Sequence, residues 1–355
     1  MTRIRARGEV VRRFIIEHLS EHPRDICRLG VKHFGISRQA MNKHVRNMIK
    51  DGSITREGKA TRYAYKLVPL SEWRKVYVLG GTVLSESDIW AQDIRSRLGV
   101  LPENAVEIWQ WGFTEMMNNA IDHSSGTRVN VLIKKTAATV ELQLHDDGIG
   151  IFKKIREHLG LVDERHAVLE LAKGKFTTDP VKHSGQGIFF TSRMFDHFEI
   201  LSGDVYFSHQ VDTRSDYIAD DADFSGGTSV LMTLNNHTSR TAVKVFNKFT
   251  DDDFGFTKTI VPVRLAKYGD DNLVSRSQAR RLLARVEKFK TVVLDFSGVD
   301  SVGQAFADEA FRVFQTEHPG VVLVEVHANS VVRRMIAQAR SGSSPGQLGL
   351  PLTPG

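Results

Sequence analysis

Glu115-Met116-Met117-Asn118-Asn119-Ala120-Ile121-Asp122-His123-Ser124 and, further along, Asp146-Asp147-Gly148-Ile149-Gly150-Ile151 decide the reading of this 355-residue chain. The first stretch closes a helix expected from 102 to 122, and its spacing puts Glu115 and Asn119 one turn apart on one face. A carboxylate beside an amide at that spacing orients a water and offers an oxygen ligand to a hydrated Mg²⁺. The second stretch ends a pair of strands expected at 128–134 and 139–145. A carboxylate at a strand end accepts a hydrogen bond from an exocyclic amine such as that of adenine, and glycines let the backbone approach a ligand.

Two further segments extend the pattern outward. Ser184-Gly185-Gln186-Gly187-Ile188 opens another helix, where free backbone N–H groups and the dipole favour phosphate. Gly226-Gly227-Thr228 leads into a strand over 229–234. Asp-Asp-Gly alone is a common turn and Gly-x-Gly is frequent; the order of all four segments at domain-sized spacing is the signal.

In that order the segments resemble the ATP-binding domain of the GHKL superfamily, the Bergerat fold, over about residues 75–235. The resemblance implies ATP with Mg²⁺ as cofactors. It implies Glu115 as general base in members that hydrolyse ATP, Asn119 as the Mg²⁺ ligand and Asp146 on the adenine amine. Gly148 and Gly150 would line the base pocket, Gly185 and Gly187 would lie in the lid over the phosphates, and Thr228 would add a hydrogen bond near adenine. Phe176-Thr177-Thr178 falls where histidine kinases often carry an aromatic residue ahead of the lid. No helix pair bearing a phosphoacceptor His precedes the domain, and Lys244, Lys248 and Lys258 are candidates for a phosphate-contacting lysine by position only.

Charge separates the N-terminal fifth from the rest. Residues 1–68 hold 16 Lys and Arg against 6 Asp and Glu, so +10, while the remainder is −4. The basic excess marks this segment for a polyanion. Helical periodicity runs over 8–19, 25–34 and 38–50, with Gly35 as a left-handed stop and Ser37 as a cap. Arg38, Gln39, Asn42, Lys43 and Arg46 face outward on the third helix, and a hairpin with Lys59 and Arg62 near its tip follows. Residues 7–68 thereby resemble a winged helix-turn-helix of bacterial transcription regulators, which implies double-stranded DNA as partner.

Beyond Asp251-Asp252-Asp253 and Gly255, which read as a linker, strands are expected at 259–265, 291–296 and 320–327, and helices at 275–289, 304–317 and 330–339. This alternation predicts a small α/β domain. Leu294-Asp295-Phe296-Ser297-Gly298-Val299, with Ala305-Phe306-Ala307-Asp308-Glu309 after it, resembles a STAS-like domain. Where anti-anti-sigma factors carry a phosphoacceptor serine this chain has Gly303-Gln304-Ala305, so the resemblance implies a protein partner rather than phosphotransfer.

The expected fold is multidomain α+β and α/β: a winged helix over 1–68, a GHKL α/β sandwich over 69–250 and a STAS-like α/β domain over 251–340. A Gly-, Ser- and Pro-rich tail, expected to be disordered, covers 341–355. A composition of 41% hydrophobic and 25% charged residues excludes a mainly disordered chain. A single cysteine, Cys27, excludes an internal disulfide and a multi-cysteine metal cage. No run approaches a membrane span. The expected protein is a cytosolic ATP-responsive DNA-binding regulator, with dimerisation open. The rival readings are an anti-sigma-type protein kinase and a DNA-remodelling or defence ATPase.

Overall fold

The computed structural model describes residues 3–58, 63–80, 84–176, 185–210, 215–220, 226–253, 255–267 and 272–342. Lys59, Arg62, Thr177, Thr178, Ser184 and the segment beyond residue 342 lie outside them.

The N-terminal part contains α1 (Arg3–His18), α2 (Ile26–Phe34) and α3 (Arg38–Lys50), then an antiparallel hairpin of β1 (Ile54–Glu57) and β2 (Ala64–Leu67). Gly35 ends α2 at φ +61 with its N–H on the Val31 carbonyl, and the Ser37 hydroxyl accepts the Ala40 N–H. Val11, Ile15, Leu19, Ile26, Met41, Val45 and Ile54 form a separate small core. Asp51 ties the end of α3 back to Arg12 of α1 at 2.5 Å, and that guanidinium holds the carboxyl down to about 2.

The central sheet has seven strands: β3 (Ser71–Val78), β4 (Arg128–Lys135), β5 (Thr139–Asp146), β6 (His197–Ser202), β7 (Val205–Gln210), β8 (Ser215–Asp220) and β9 (Thr228–Asn235). Their spatial order is β3-β4-β5-β9-β6-β7-β8, and every pairing is antiparallel. Strict alternation in β5 buries Val140, Leu142 and Leu144, so one sheet face is covered.

Helices cover that face: α4 (86–97, with a π turn at Trp90–Ile94), α5 (Glu103–His123), α6 (Ile151–Leu159), α7 (Glu164–Lys173), α8 (Gly187–Met194) and α9 (Ala242–Asn247). In α5, Ile108, Trp109, Phe113, Met116, Met117 and Ala120 recur at helical spacing and are all buried. No helix among the described residues is long and apolar enough to cross a membrane.

The C-terminal part has a parallel sheet in the order β10 (Lys258–Pro262), β11 (Thr291–Asp295), β12 (Val322–Val326). With it run α10 (Arg276–Leu283), α11 (304–317, with a π turn at Glu309–Val313) and α12 (Ser330–Arg340). Three expectations are corrected here. The strand expected to reach 265 stops at Pro262 and turns into a 3₁₀ segment, because proline donates no ladder hydrogen bond. The helix expected to reach 289 ends at Leu283, since Arg285 sits at φ +61. The acidic stretch read as a linker is a tight turn, with Thr250 bridged to Phe256 and Asp251 accepting from Gly255 N–H and paired with Lys290.

Phe256, just past that turn, lies against Phe189, Phe190 and Phe289 with ring centroids 4.7, 5.0 and 5.1 Å away. The buried residues of the central sheet and of β10 to α12 form one continuous hydrophobic cluster.

Candidate functional site

The period of β5 decides where its last residue points. Val140, Leu142 and Leu144 face the core, so Asp146, two further on, places a carboxylate where the pattern calls for an apolar side chain. Asp146 is only 6% exposed. Its Oδ1 accepts the backbone N–H of Gly148 at 2.9 Å and of Thr228 at 3.2 Å. Among the described residues no hydrogen bond reaches its Oδ2. Burial pushes the carboxyl up from its ordinary range, partly offset by the Gly148 and Thr228 N–H groups.

The adjacent carboxylate does a different job. Asp147 accepts from Thr127 N–H at 2.7 Å, from the Thr127 hydroxyl at 2.7 Å and from Arg128 N–H at 3.0 Å, clamping the entry to β4. The Thr127 hydroxyl, followed by the Arg128 N–H, holds its carboxyl down to about 2. One Asp of the Asp-Asp-Gly turn is therefore structural, and the other faces a cavity.

That cavity is about 410 Å³ and is lined by Glu115, Asn119, Asp146, Gly150, Gly185, Gly187 and Thr228 among the residues singled out from sequence. Leu144, Ile151, Ile155, Leu171 and Val230 supply apolar wall. Glu115 and Asn119 reach it from the same face of α5, as their spacing requires. Gly187, first residue of α8, packs so closely on the Glu115 carboxylate that a Cβ there would displace it. Gly185, at φ +69, presses in the same way on the backbone of Phe176, and Phe176 itself lines the cavity.

Gly148 departs from its expected place. It is not among the lining residues; its Cα backs onto the Ser124 carbonyl, and the next residue, Ile149, donates its N–H to that oxygen at 2.9 Å. Its small size serves to seat the turn on the end of α5. Gly150, at φ +88, does line the cavity, and a Cβ there would sit 2.7 Å from the Ser202 hydroxyl. The Thr228 hydroxyl accepts the Ile151 N–H at 3.0 Å, pinning the start of α6 to β9.

One polar wall residue carried no sequence signal. Lys154 lines the cavity and donates from Nζ to the His123 carbonyl at 2.7 Å; Lys244, Lys248 and Lys258 do not line it. Gly227, at φ +76, abuts the Asp146 carbonyl where a side chain cannot fit. Its Gly-Gly doublet was visible in the sequence, but the register that pairs Thr228 with Asp146 was not.

The residues present suit a nucleotide with its cation. A mostly apolar slot with one buried carboxylate oxygen left over fits an aromatic base bearing an amine. Among the described residues no group of three or more His, Cys, Asp or Glu could hold a metal, so a divalent ion at Asn119 has to share its ligands with phosphate and water.

On α3, Arg38, Gln39, Lys43 and Arg46 are exposed and Asn42 is half-buried, while Met41, Val45 and Met48 are buried. None of the four exposed side chains forms an ion pair among the described residues.

Comparison with protein families agrees with the two larger parts. Residues 88–206 match the histidine kinase-like ATPase domain, and residues 278–332 match a STAS-like domain of unknown function. The chain thus carries a GHKL-type ATPase domain followed by a STAS-like domain. The first match spans Glu115 through Gly187 and stops before Gly227 and Thr228. No curated protein matches the chain.

Proposed function

We propose that this protein is an ATP-responsive regulator in which the central domain binds Mg²⁺–ATP and the N-terminal part binds double-stranded DNA as a winged helix. The observation that carries the nucleotide reading is Asp146: a nearly buried carboxylate in a 410 Å³ cavity with one oxygen satisfied twice by backbone and the other left for a ligand donor. In this reading Oδ2 accepts the adenine amine. Thr228 and Gly150 hold the turn beside the base, and Gly185 and Gly187 bring backbone N–H groups toward the phosphates. Asn119 supplies an oxygen to the Mg²⁺, whose charge neutralises the phosphates, and Glu115 accepts a proton from an attacking water if ATP is hydrolysed.

DNA binding rests on the +10 balance of residues 1–68 and on the exposed Arg38, Lys43 and Arg46 of α3. The STAS-like domain serves a protein partner, since Gln304 and Ala305 offer no acceptor hydroxyl.

Incubation with ATP labelled at the γ-phosphate, with and without duplex DNA, separates this reading from its rivals. Label retained by bound, unreacted ATP supports a binding switch. Label on a protein means a kinase, and free phosphate stimulated by DNA means a DNA-dependent ATPase. No bound nucleotide under any condition refutes the ATP reading.

A further inference from the structure

Three consecutive residues, Lys173-Gly174-Lys175, leave α7 for the cavity wall, and each is held by the C-terminal part of the chain. Lys173 is 2% exposed. Its ammonium donates to Glu170 Oε1 at 2.8 Å, to the Arg281 carbonyl at 3.1 Å and to the Ala284 carbonyl at 2.8 Å, so all three N–H groups are used. The other oxygen of Glu170 pairs with Arg285 at 3.4 Å. The Lys173 carbonyl accepts the hydroxyl of Thr259 on β10 at 2.6 Å.

Gly174, at φ +81, is wedged between the rings of Phe189 and Phe256. Lys175 donates to the Lys288 carbonyl at 2.8 Å, with its ammonium 4.6 Å from the centre of the Phe289 ring. Two of the four non-glycine residues with positive φ among the described residues, Lys175 and Arg285, face each other's domain across this contact. Strained backbone of this kind persists only where the surroundings enforce it, and it concentrates at functional sites. The next residue, Phe176, lines the cavity and has its backbone pressed by Gly185.

We propose that the C-terminal domain positions the Phe176 wall of the nucleotide cavity, with Lys175 and Lys173 as the positioning residues, so that the state of one domain sets the affinity of the other. This rests on the nucleotide reading above. Anchors on β10, the end of α10 and the segment before β11 fix residues 173–175 from three sides. A partner that shifts α10 therefore moves Phe176 and Gly185, and a nucleotide packed on Phe176 restrains α10 in return, because coupling between two binding events is reciprocal.

The test uses the full chain with Lys175→Met, which keeps the length and loses the donor, and Lys175→Arg, which restores one. Amide hydrogen exchange without nucleotide is expected to be faster in Lys175→Met at 174–176 and 185–190 and unchanged in β4 and β5. Calorimetry is expected to show Mg²⁺–ATP affinity at least about 5-fold weaker. ATP is expected to protect amides of α10 in the wild type and not in Lys175→Met, and Lys175→Arg is expected to recover both properties. Exchange equal to wild type overturns the proposal, as does faster exchange with unchanged ATP affinity. A wild-type chain that binds no ATP overturns the nucleotide reading instead, and the exchange comparison then decides alone whether the C-terminal domain holds the cavity wall.

Discussion

The N-terminal part and the two larger parts solve the problem of burial differently. Residues up to the β1–β2 hairpin close a core of their own from Val11, Ile15, Leu19, Met41 and Val45. The central and C-terminal parts share one core, in which Phe256, itself packed on Phe289, meets Phe189 and Phe190 from the other side. Both boundaries read alike in sequence, as a change in composition after a run of elements. What differs is whether apolar side chains cross: a boundary without such contacts leaves two units that can act separately, and a boundary with them couples the units.

Truncation tests this difference with the largest expected effect. Removing residues 251–355 uncovers Phe189 and Phe190 and strips the buried Lys173–Glu170 pair of the Arg281, Ala284 and Arg285 groups around it. Leaving a formerly buried phenylalanine exposed costs ~1.5–3 kcal/mol, and two are uncovered here. The thermal midpoint of the central part is therefore expected to fall by more than about 10 °C, or the fragment to aggregate. Removing residues 1–68 is expected to leave the midpoint within a few degrees and nucleotide affinity within about twofold. Equal damage from both cuts breaks the comparison.

At the cavity, Glu115→Ala is expected to slow any ATP hydrolysis by ~10²–10⁴-fold with little change in binding, whereas Asn119→Ala weakens Mg²⁺–ATP binding itself. Both residues lie on one face of α5, so thermal melts distinguish lost chemistry from lost folding. Turnover that survives Glu115→Ala assigns the base elsewhere.

Asp146→Asn is expected to lower ATP affinity by ~1–3 kcal/mol, the cost of an unmet hydrogen bond, measured by calorimetry. Its effect on the ligand-free fold has the opposite sign. A carboxyl raised by burial contributes stability in its protonated form, fully below its unfolded pKa and lost as pH rises through the higher folded one. Ionisation of Asp146 as pH rises is therefore a growing burden on the fold. Asp146→Asn should raise the melting midpoint at pH 7 and not at pH 3. Asp147, held down to about 2, shows the reverse: its contribution is present above the ordinary carboxyl range and is lost as pH falls through about 2. Asp147→Asn should destabilise the fold at pH 7 while leaving ATP affinity nearly unchanged.

On the separate N-terminal part, changing Arg38, Lys43 and Arg46 together to Ala is expected to weaken duplex binding and to flatten its dependence on salt by about one unit of slope per lost phosphate contact, without altering ATP affinity. A salt dependence identical to wild type removes α3 from the DNA interface.

Local order was readable wherever a residue's own backbone preference or a short period set it. The Ser37 cap, the Gly35 stop, the pairing of Glu115 with Asn119 on α5 and the alternation of β5 all depend on residues a few positions apart. By contrast α6, α7, β6, β7 and β8 have no counterpart in the sequence reading. Their short apolar runs, such as Phe198-Glu199-Ile200-Leu201, fit helix or strand equally, and only pairing with β9 settles the matter. Gly148 seats a turn instead of lining the cavity for a related reason, since a glycine shows that the backbone comes close to something without showing to what.

The sequence by itself determined the order of the three parts, the segregation of positive charge and the helix face that Glu115 shares with Asn119, because spacing along one helix or strand dictates face and period without reference to the rest of the chain. Only the tertiary structure decided that Asp147 clamps the entry to β4, that Gly148 seats a turn, and that the C-terminal part grips Lys173 and Lys175. Those outcomes depend on register between distant strands and on apolar contacts between residues about a hundred positions apart. Such contacts form because each side buries surface it cannot bury alone, a fact that no local pattern records.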